Sequence, residues 1–530
     1  MSDTIVLDGT SLTLPDVEAV ARHGAKVALS SDSDVVERIE RSRALNERLV
    51  AEGKPIYGVT TGIGSSVDRH VGADRVRKLQ ANLITYMGCG LGDYLSVEEC
   101  RAIVLARVNC FAKGYSAVRL TLIERLVTLL NEDIIPAIPE LGSVGASGDL
   151  IPSSYIGAVV MGKRDVYHQG RLEPTAKVYS EKGLEPLALE SKEGLAILNG
   201  TAFMTGVGVL AVLDAERLGV VADACTAMAI EVLMGITGPF APFLHEVKPH
   251  PGLRASATRI ARILEGSELA RDYEKLVADL GSMEEGFRKV DVKIQDRYSL
   301  RCAPHCIGAL YDMIRWIRET LEVELNSSND NPIYDLEAEV VRSGGNFSGF
   351  HIGMAMDTLK TAVASVGDNL DRQVAIVIDE TYNNGLGMAA VHPLPPDHPD
   401  AGTRHGVKCL QLLVSAVTAE ALNACGPMTI FSRSTGAHNQ DKVSMAATAA
   451  RQAREVVALI QKVAAIHLVV LCQAADRRGA EKLSPVTRKV YQAVRAVSPY
   501  VEDDRELRDE IIEVAKLVES GALSEIVEAG

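Results

Sequence analysis

The chain has 530 residues and 47% hydrophobic content, and 55 lysines and arginines against 70 aspartates and glutamates leave a formal charge of −15. A chain of this length buries a large core in more than one region, and an acidic balance without a basic block excludes nucleic acid as a partner. Nine cysteines, an odd number lying mostly inside apolar patterns, predict reduced thiols and a cytoplasmic location, and Met1-Ser-Asp-Thr lacks the basic-then-apolar start of a signal peptide.

In chain order, Thr4 to Leu7 and Leu12 to Leu14 alternate around Asp8-Gly9 like a small hairpin, after which Pro15 opens a helix. Ser33 to Glu52 carries Val35, Val36, Ile39, Leu45 and Leu49 on one helical face. Pro55 to Ser66 interleaves β-branched residues, glycines and small hydroxyls, which predicts a loop able to close over a pocket. Val71 to Asn131 is helical in pattern, and the prolines in Ile134 to Glu140 make an extended approach to the small-residue stretch Gly142 to Leu150. Lys163 to Glu185 reads as a polar surface excursion. Leu195 to Gly235, Leu310 to Asn326, His351 to Asp379, Val407 to Ala424 and Val443 to Ala475 read as long helices of a bundle. Asp214, Glu216 and Arg217 interrupt the apolar run, so no membrane span is expected. Asn383 to His405 and Phe431 to Asp441 are irregular, and Pro485 to Val497 and Asp504 to Leu523 form shorter, more charged helices. The predicted fold is mainly α: an elongated central bundle of long near-parallel helices with a smaller N-terminal region bearing loops and a short hairpin. The predicted divisions are 1–200, 201–476 and a C-terminal cap at 477–530.

The triplet Ala146-Ser147-Gly148 has no bulky neighbour, so the backbone can fold until the Gly148 nitrogen reaches the Ala146 carbonyl carbon. Loss of two waters would then leave an imidazolone whose exocyclic methylene, from Ser147, is a carbon electrophile that no coded side chain supplies. The alternative is a glycine-rich turn in which Ser147 or Asp149 caps the next segment. Such an electrophile needs a base for a weakly acidic C–H. Tyr57, in the glycine-rich loop, suits that task, and reads equally as a packed tyrosine bonded to backbone. In Gln295-Asp-Arg-Tyr-Ser-Leu-Arg301, Arg301 can grip a carboxylate with Tyr298 and Gln295 on a neighbouring face at helical spacing; the alternative is a solvated face. Asn199, Asn326, Asn329, Asn331, Asn346, Asn439 and Gln440 are neutral amides in turn-like stretches, able to hold an oxygen or simply to form turns. Cys302, His305 and Cys306 lack a second cluster, so no metal site is expected. A serine amidase, the rival class, would need a base near Ser147 that the sequence does not offer.

Tyr57-Gly-Val-Thr-Thr-Gly-Ile-Gly, Leu79-Gln-Ala-Asn-Leu, Gly142 to Leu150, Leu198-Asn-Gly-Thr, Gln295 to Arg301, Asn329-Asp-Asn-Pro, Gly344-Gly-Asn-Phe and His438-Asn-Gln-Asp follow one another along most of the chain. In these segments it resembles the aromatic amino acid and histidine ammonia-lyases and the related aminomutases. The resemblance implies that Ala146, Ser147 and Gly148 form a 4-methylideneimidazol-5-one ring (MIO), with no external cofactor. It implies Tyr57 as catalytic base, Asn199 and Tyr298 supporting ring and amine, Arg301 on the carboxylate, and Gln295, Asn331 and Phe347 lining the pocket. It also implies a homotetramer with shared active sites, acting on a small aromatic amino acid. Substrate choice falls on Tyr86, Met87, Lys408, Asn439 and Gln440. Apolar Met87, Lys408 and His438-Asn-Gln-Asp441 look like the phenylalanine ammonia-lyases. Gly436, where those enzymes carry glutamate, and Tyr86, larger and more polar than their usual phenylalanine, depart from them. The expectation is conversion of L-phenylalanine to trans-cinnamate, with an aromatic 2,3-aminomutase or a tyrosine or histidine ammonia-lyase as alternatives.

Overall fold

The computed structural model describes residues 4–530 apart from 284, 291, 392, 393, 396 and 401. The chain is mainly α-helical, with strands of two to four residues in small sheets. Two compact units are each assembled from segments distant in sequence. The first comprises Met1–Ala211, Ile317–Asp357 and Pro427–Arg454, the second Val212–Trp316, Thr358–Gly426 and Glu455–Gly530. The helices Ala202–Val232, Ala303–Leu325, Phe350–Ile378 and Ala446–Arg478 each contain one division point. This grouping by contacts does not coincide with the contiguous divisions at 200 and 476, which follow composition.

The N-terminal hairpin is not formed. Ile5–Leu7 pairs in parallel with Val27–Leu29, because the Asp8 carboxylate accepts from the Thr10 and Ser11 nitrogens (2.6 and 2.9 Å) and turns the chain away. Thr13 then caps the helix Leu14–His23 in a reciprocal box with Asp16, with proline in its first turn. The helix Ser33–Ala51 buries Val35, Ile39 and Leu45 along one stripe, as its periodicity requires.

Val97–Ala112 starts at a Ser96–Glu99 capping box and is buried from Glu99 to Ala112, which explains its lack of a polar face. Between it and Val76–Tyr86 lies Leu91–Tyr94, a strand inside the stretch expected to be helical, paired antiparallel with Pro139–Leu141. The polar excursion is a ladder: Asp165–His168 pairs with Arg171–Pro174 and with Ile135–Pro136. It buries Val166, and the following helix Thr175–Lys182 buries Val178 and Tyr179.

The second unit is built from helices that include Cys409–Asn423, Pro485–Arg495, Arg508–Glu519 and Ala522–Glu528. Within it Asp223, fully buried, accepts from Ser256, Arg259 and Tyr311 (2.5 to 2.8 Å), so a buried carboxylate is fully partnered. Among the described residues one helix, Ala446–Arg478, is long and apolar enough to cross a membrane, and 78% of its most apolar window is buried within the protein. All nine cysteines are free thiols, and Cys100, Cys110, Cys225 and Cys472 are buried.

Candidate active site

Ser147 has a left-handed backbone (φ +53°) between Gly145 (+73°) and Gly148 (+78°). Such a run is tolerated only where the surroundings over-determine it. Here the Gly200 nitrogen donates to the Ser147 carbonyl (3.1 Å) and the Asp149 nitrogen to the Gly200 carbonyl (2.8 Å). A Cβ on Gly148 would overlap the Gly200 carbonyl, and one on Gly145 the Ser444 hydroxyl. Gly148 is therefore held against the Gly200 backbone, and Gly145 against the Ser444 side chain, with no room for a Cβ at either. Gln440 donates from Nε2 to Ser147 Oγ (3.0 Å), while its own Oε1 accepts from Thr435 (2.9 Å).

Asp149 does not cap the helix Leu150–Val160 with its side chain. Its carboxyl instead accepts from Ser143 Oγ (2.9 Å) and the Met204 nitrogen (3.1 Å), which ties the triplet to the start of Ala202–Val232. Burial pushes this carboxyl up to about 7, against those hydrogen bonds. From the ordinary 3.8 to about 7 the folded chain keeps a proton that the unfolded chain has released. Asp149 therefore lowers stability as pH rises through that window, by on the order of 4 kcal/mol. In Asp149→Asn the midpoint of thermal unfolding, relative to the parent, is expected to climb from pH 4 to pH 7.

The glycine-rich loop is anchored by buried Ile56, Val59 and Thr60, and the Gly64 nitrogen donates to Tyr57 Oη (3.1 Å). Gln80, fully buried, clasps this loop to the helix Glu193–Leu198: Nε2 donates to the Gly58 carbonyl (3.0 Å) and Oε1 accepts from the Leu195 nitrogen (2.9 Å). Tyr86 and half-buried Met87 stand at the end of the helix Val76–Tyr86. Tyr86 is 55% exposed, and its hydroxyl is pushed up by partial desolvation and then by Tyr57.

The helix Glu193–Leu198 stops at Asn199, whose carbonyl accepts from Arg107 Nη1 (2.9 Å) and whose Oδ1 is buried without a hydrogen-bond partner among the described residues. Arg107 is fully buried and also reaches Asn329 Oδ1 (3.4 Å). Asn331 accepts from the Gly344 nitrogen (2.8 Å), and half-buried Phe347 follows on that segment. Asn326 is a structural staple, bonded to Leu12 and Asn109, and Asn439 is exposed.

Sequence reading missed the ion pair beneath these amides. Lys192 Nζ meets both Asp330 oxygens at 3.0 Å, with both side chains fully buried. Asp330 lies inside Asn329-Asp-Asn-Pro, whereas nothing about Lys192 marks it as the partner. Lys192→Met leaves a buried carboxylate alone and is expected to cost about 3–5 kcal/mol, read as a lower midpoint in urea.

Arg301, Tyr298, Gln295 and Lys408 belong to the second unit. The spacing predicted one helix through Gln295 and Arg301, but the helical turn covers only Tyr298–Arg301, and exposed Gln295 precedes it in irregular chain. Asp296 causes the break by accepting from the Ile236 nitrogen (2.7 Å), as short carboxylates do in competition with helix. The Arg301 guanidinium lies 4.6 Å from the Tyr298 ring centre, and its Nε is buried without a hydrogen-bond partner among the described residues. Lys408 is exposed at the start of Cys409–Asn423.

These features define a helical protein with a strained, small-residue turn pinned to Gly200 and met by the amide of Gln440. The chain belongs to the aromatic amino acid lyase family, whose model it matches over residues 12–496. It is similar to a histidine ammonia-lyase of Myxococcus xanthus, 37% identical over 98% of this chain and 97% of the relative. Its structure is similar to that of the tyrosine aminomutase of Streptomyces globisporus (TM-score 0.94, 35% identity, 99% of each chain). It is likewise similar to the phenylalanine aminomutase of Pantoea agglomerans (TM-score 0.91, 36% identity, 98% of this chain and 99% of that one).

Proposed function

We propose that the protein is an ammonia-lyase acting on an L-amino acid whose β-carbon carries a flat unsaturated ring, with L-histidine as the first candidate substrate. The observation that carries the reading is the backbone of Ala146-Ser147-Gly148, left-handed at Ser147 and Gly148 and pinned to Gly200. Neither Gly148 nor the preceding Gly145 has room for a Cβ, and this tight turn suits maturation of the triplet to MIO. The ring, once formed, supplies an electrophilic carbon that draws electrons from substrate and so lets ammonia leave.

The chain's own residues account for the rest. Tyr57, its oxygen already receiving the Gly64 N–H, takes the β-proton. Arg301 binds the carboxylate, with Tyr298 and Asn199 toward the amine and ring. Met87, Lys408 and Gln440 look like the phenylalanine ammonia-lyases. The Myxococcus xanthus relative, named a histidine ammonia-lyase, moves histidine ahead of phenylalanine, and the Tyr86 hydroxyl offers an imidazole a neutral hydrogen-bonding partner. The names of the two similar structures support a second reading: 2,3-aminomutation of tyrosine or phenylalanine with the same residues and a lid that stays shut longer. A homotetramer with shared sites belongs to this proposal.

The test is a panel of L-histidine, L-tyrosine and L-phenylalanine, followed by free ammonia and by the ultraviolet absorbance of the conjugated acid. Ammonia and urocanate from histidine support the first reading. A β-amino acid without stoichiometric ammonia supports the second, and no product from any of the three overturns both.

A further inference from the structure

Arg164 has a left-handed backbone (φ +62°), a conformation uncommon for a residue with a Cβ, so its side chain invites an explanation. It lies just before the strand Asp165–His168, and its half-buried guanidinium reaches back to the end of the helix Val76–Tyr86. Nη1 donates to Ser154 Oγ (3.1 Å) and Nη2 to the Ile84 carbonyl (3.4 Å), while the guanidinium stacks 4.1 Å from the Tyr155 ring centre. A cation beside the last carbonyls of a helix is favourably placed. The Ser154 hydroxyl bonds the Ile151 carbonyl (2.7 Å) and also comes within 3.3 Å of the Met87 carbonyl. The fit continues one residue on, since a Cβ on Gly88 would overlap the Arg164 guanidinium. Arg164 and Gly88 are thus a matched pair, and Tyr86-Met87-Gly88 rests on a stacked, hydrogen-bonded guanidinium.

We propose that Arg164 is a positioning residue for substrate selection, fixing the Tyr86-Met87-Gly88 turn and through it the wall that meets the substrate's ring. This rests on the reading of Tyr86 and Met87 as ring-facing residues. Arg164 touches no reacting atom in this role; it sets where the phenol and the thioether stand.

The test compares the parent with Arg164→Gly, Arg164→Met and Met87→Ala, taking kcat and KM for L-histidine, L-tyrosine and L-phenylalanine together with the intact mass and the thermal midpoint. Glycine suits a left-handed φ, so Arg164→Gly removes the guanidinium while relaxing the backbone. Both Arg164 variants are expected to shift the ratio of kcat/KM between substrates by about tenfold, mainly through KM, while each keeps the parent's two-water deficit from its own encoded mass. A uniform fall for all three substrates with a lower midpoint marks a merely structural arginine and overturns the proposal. So do unchanged ratios in both Arg164 variants when Met87→Ala shifts its own. Unchanged ratios in Met87→Ala overturn instead the ring-facing reading on which the proposal stands.

Discussion

Ser147→Ala is expected to lower kcat/KM by on the order of 10⁴-fold or more, the scale on which enzymes lose activity when the group that bonds to substrate is removed. Ser147 has its Oγ on Gln440 Nε2 and its carbonyl on the Gly200 nitrogen. Relative to the uncyclised chain alanine keeps the second bond and forfeits only the first, about 1 kcal/mol; maturation itself removes the Ser147 hydroxyl as water, so the variant should remain folded, read as a cooperative thermal transition. A stable, folded and inactive variant separates loss of chemistry from loss of structure. A Ser147→Ala protein with normal turnover would remove the triplet from the mechanism.

Tyr57→Phe carries the second largest expectation. Loss of a positioned general base costs about 10²–10⁴-fold, and the loss should fall on kcat, because the substitution leaves the carboxylate binding proposed for Arg301 in place. The variant should still fall two waters below its own encoded mass, since Tyr57 Oη hydrogen-bonds the Gly64 nitrogen within its own loop. Steady-state kinetics with the preferred substrate provide the check. A variant with parental kcat would transfer the base role to another group, and Tyr86, beside Tyr57, is the first to examine.

What could be read from the sequence depended on how local each determinant is. The helix Ser33–Ala51 follows from its own periodicity and the Asp32 cap. The parallel pairing of Ile5–Leu7 with Val27–Leu29 does not, because a lone short strand carries no record of its partner. The predicted helix from Leu195 breaks at Asn199 because Gly200 (φ +129°) pairs with Gly148, a contact that local apolar pattern cannot display. The same distance hid Lys192–Asp330, and the support of Arg164 for Tyr86-Met87-Gly88. Tyr57, the Ala146-Ser147-Gly148 triplet and Arg301 stood out because their chemistry is contained in short stretches. Which ring the pocket prefers is written in side chains brought together only by folding.

The central claim, that the strained triplet matures into an electrophile, is tested most directly by the intact mass of the purified protein. The account predicts a mass lower than that of the encoded chain by two water molecules, confined to the peptide containing Ala146-Ser147-Gly148 and absent from Ser147→Ala. A purified parent at the full encoded mass would contradict it.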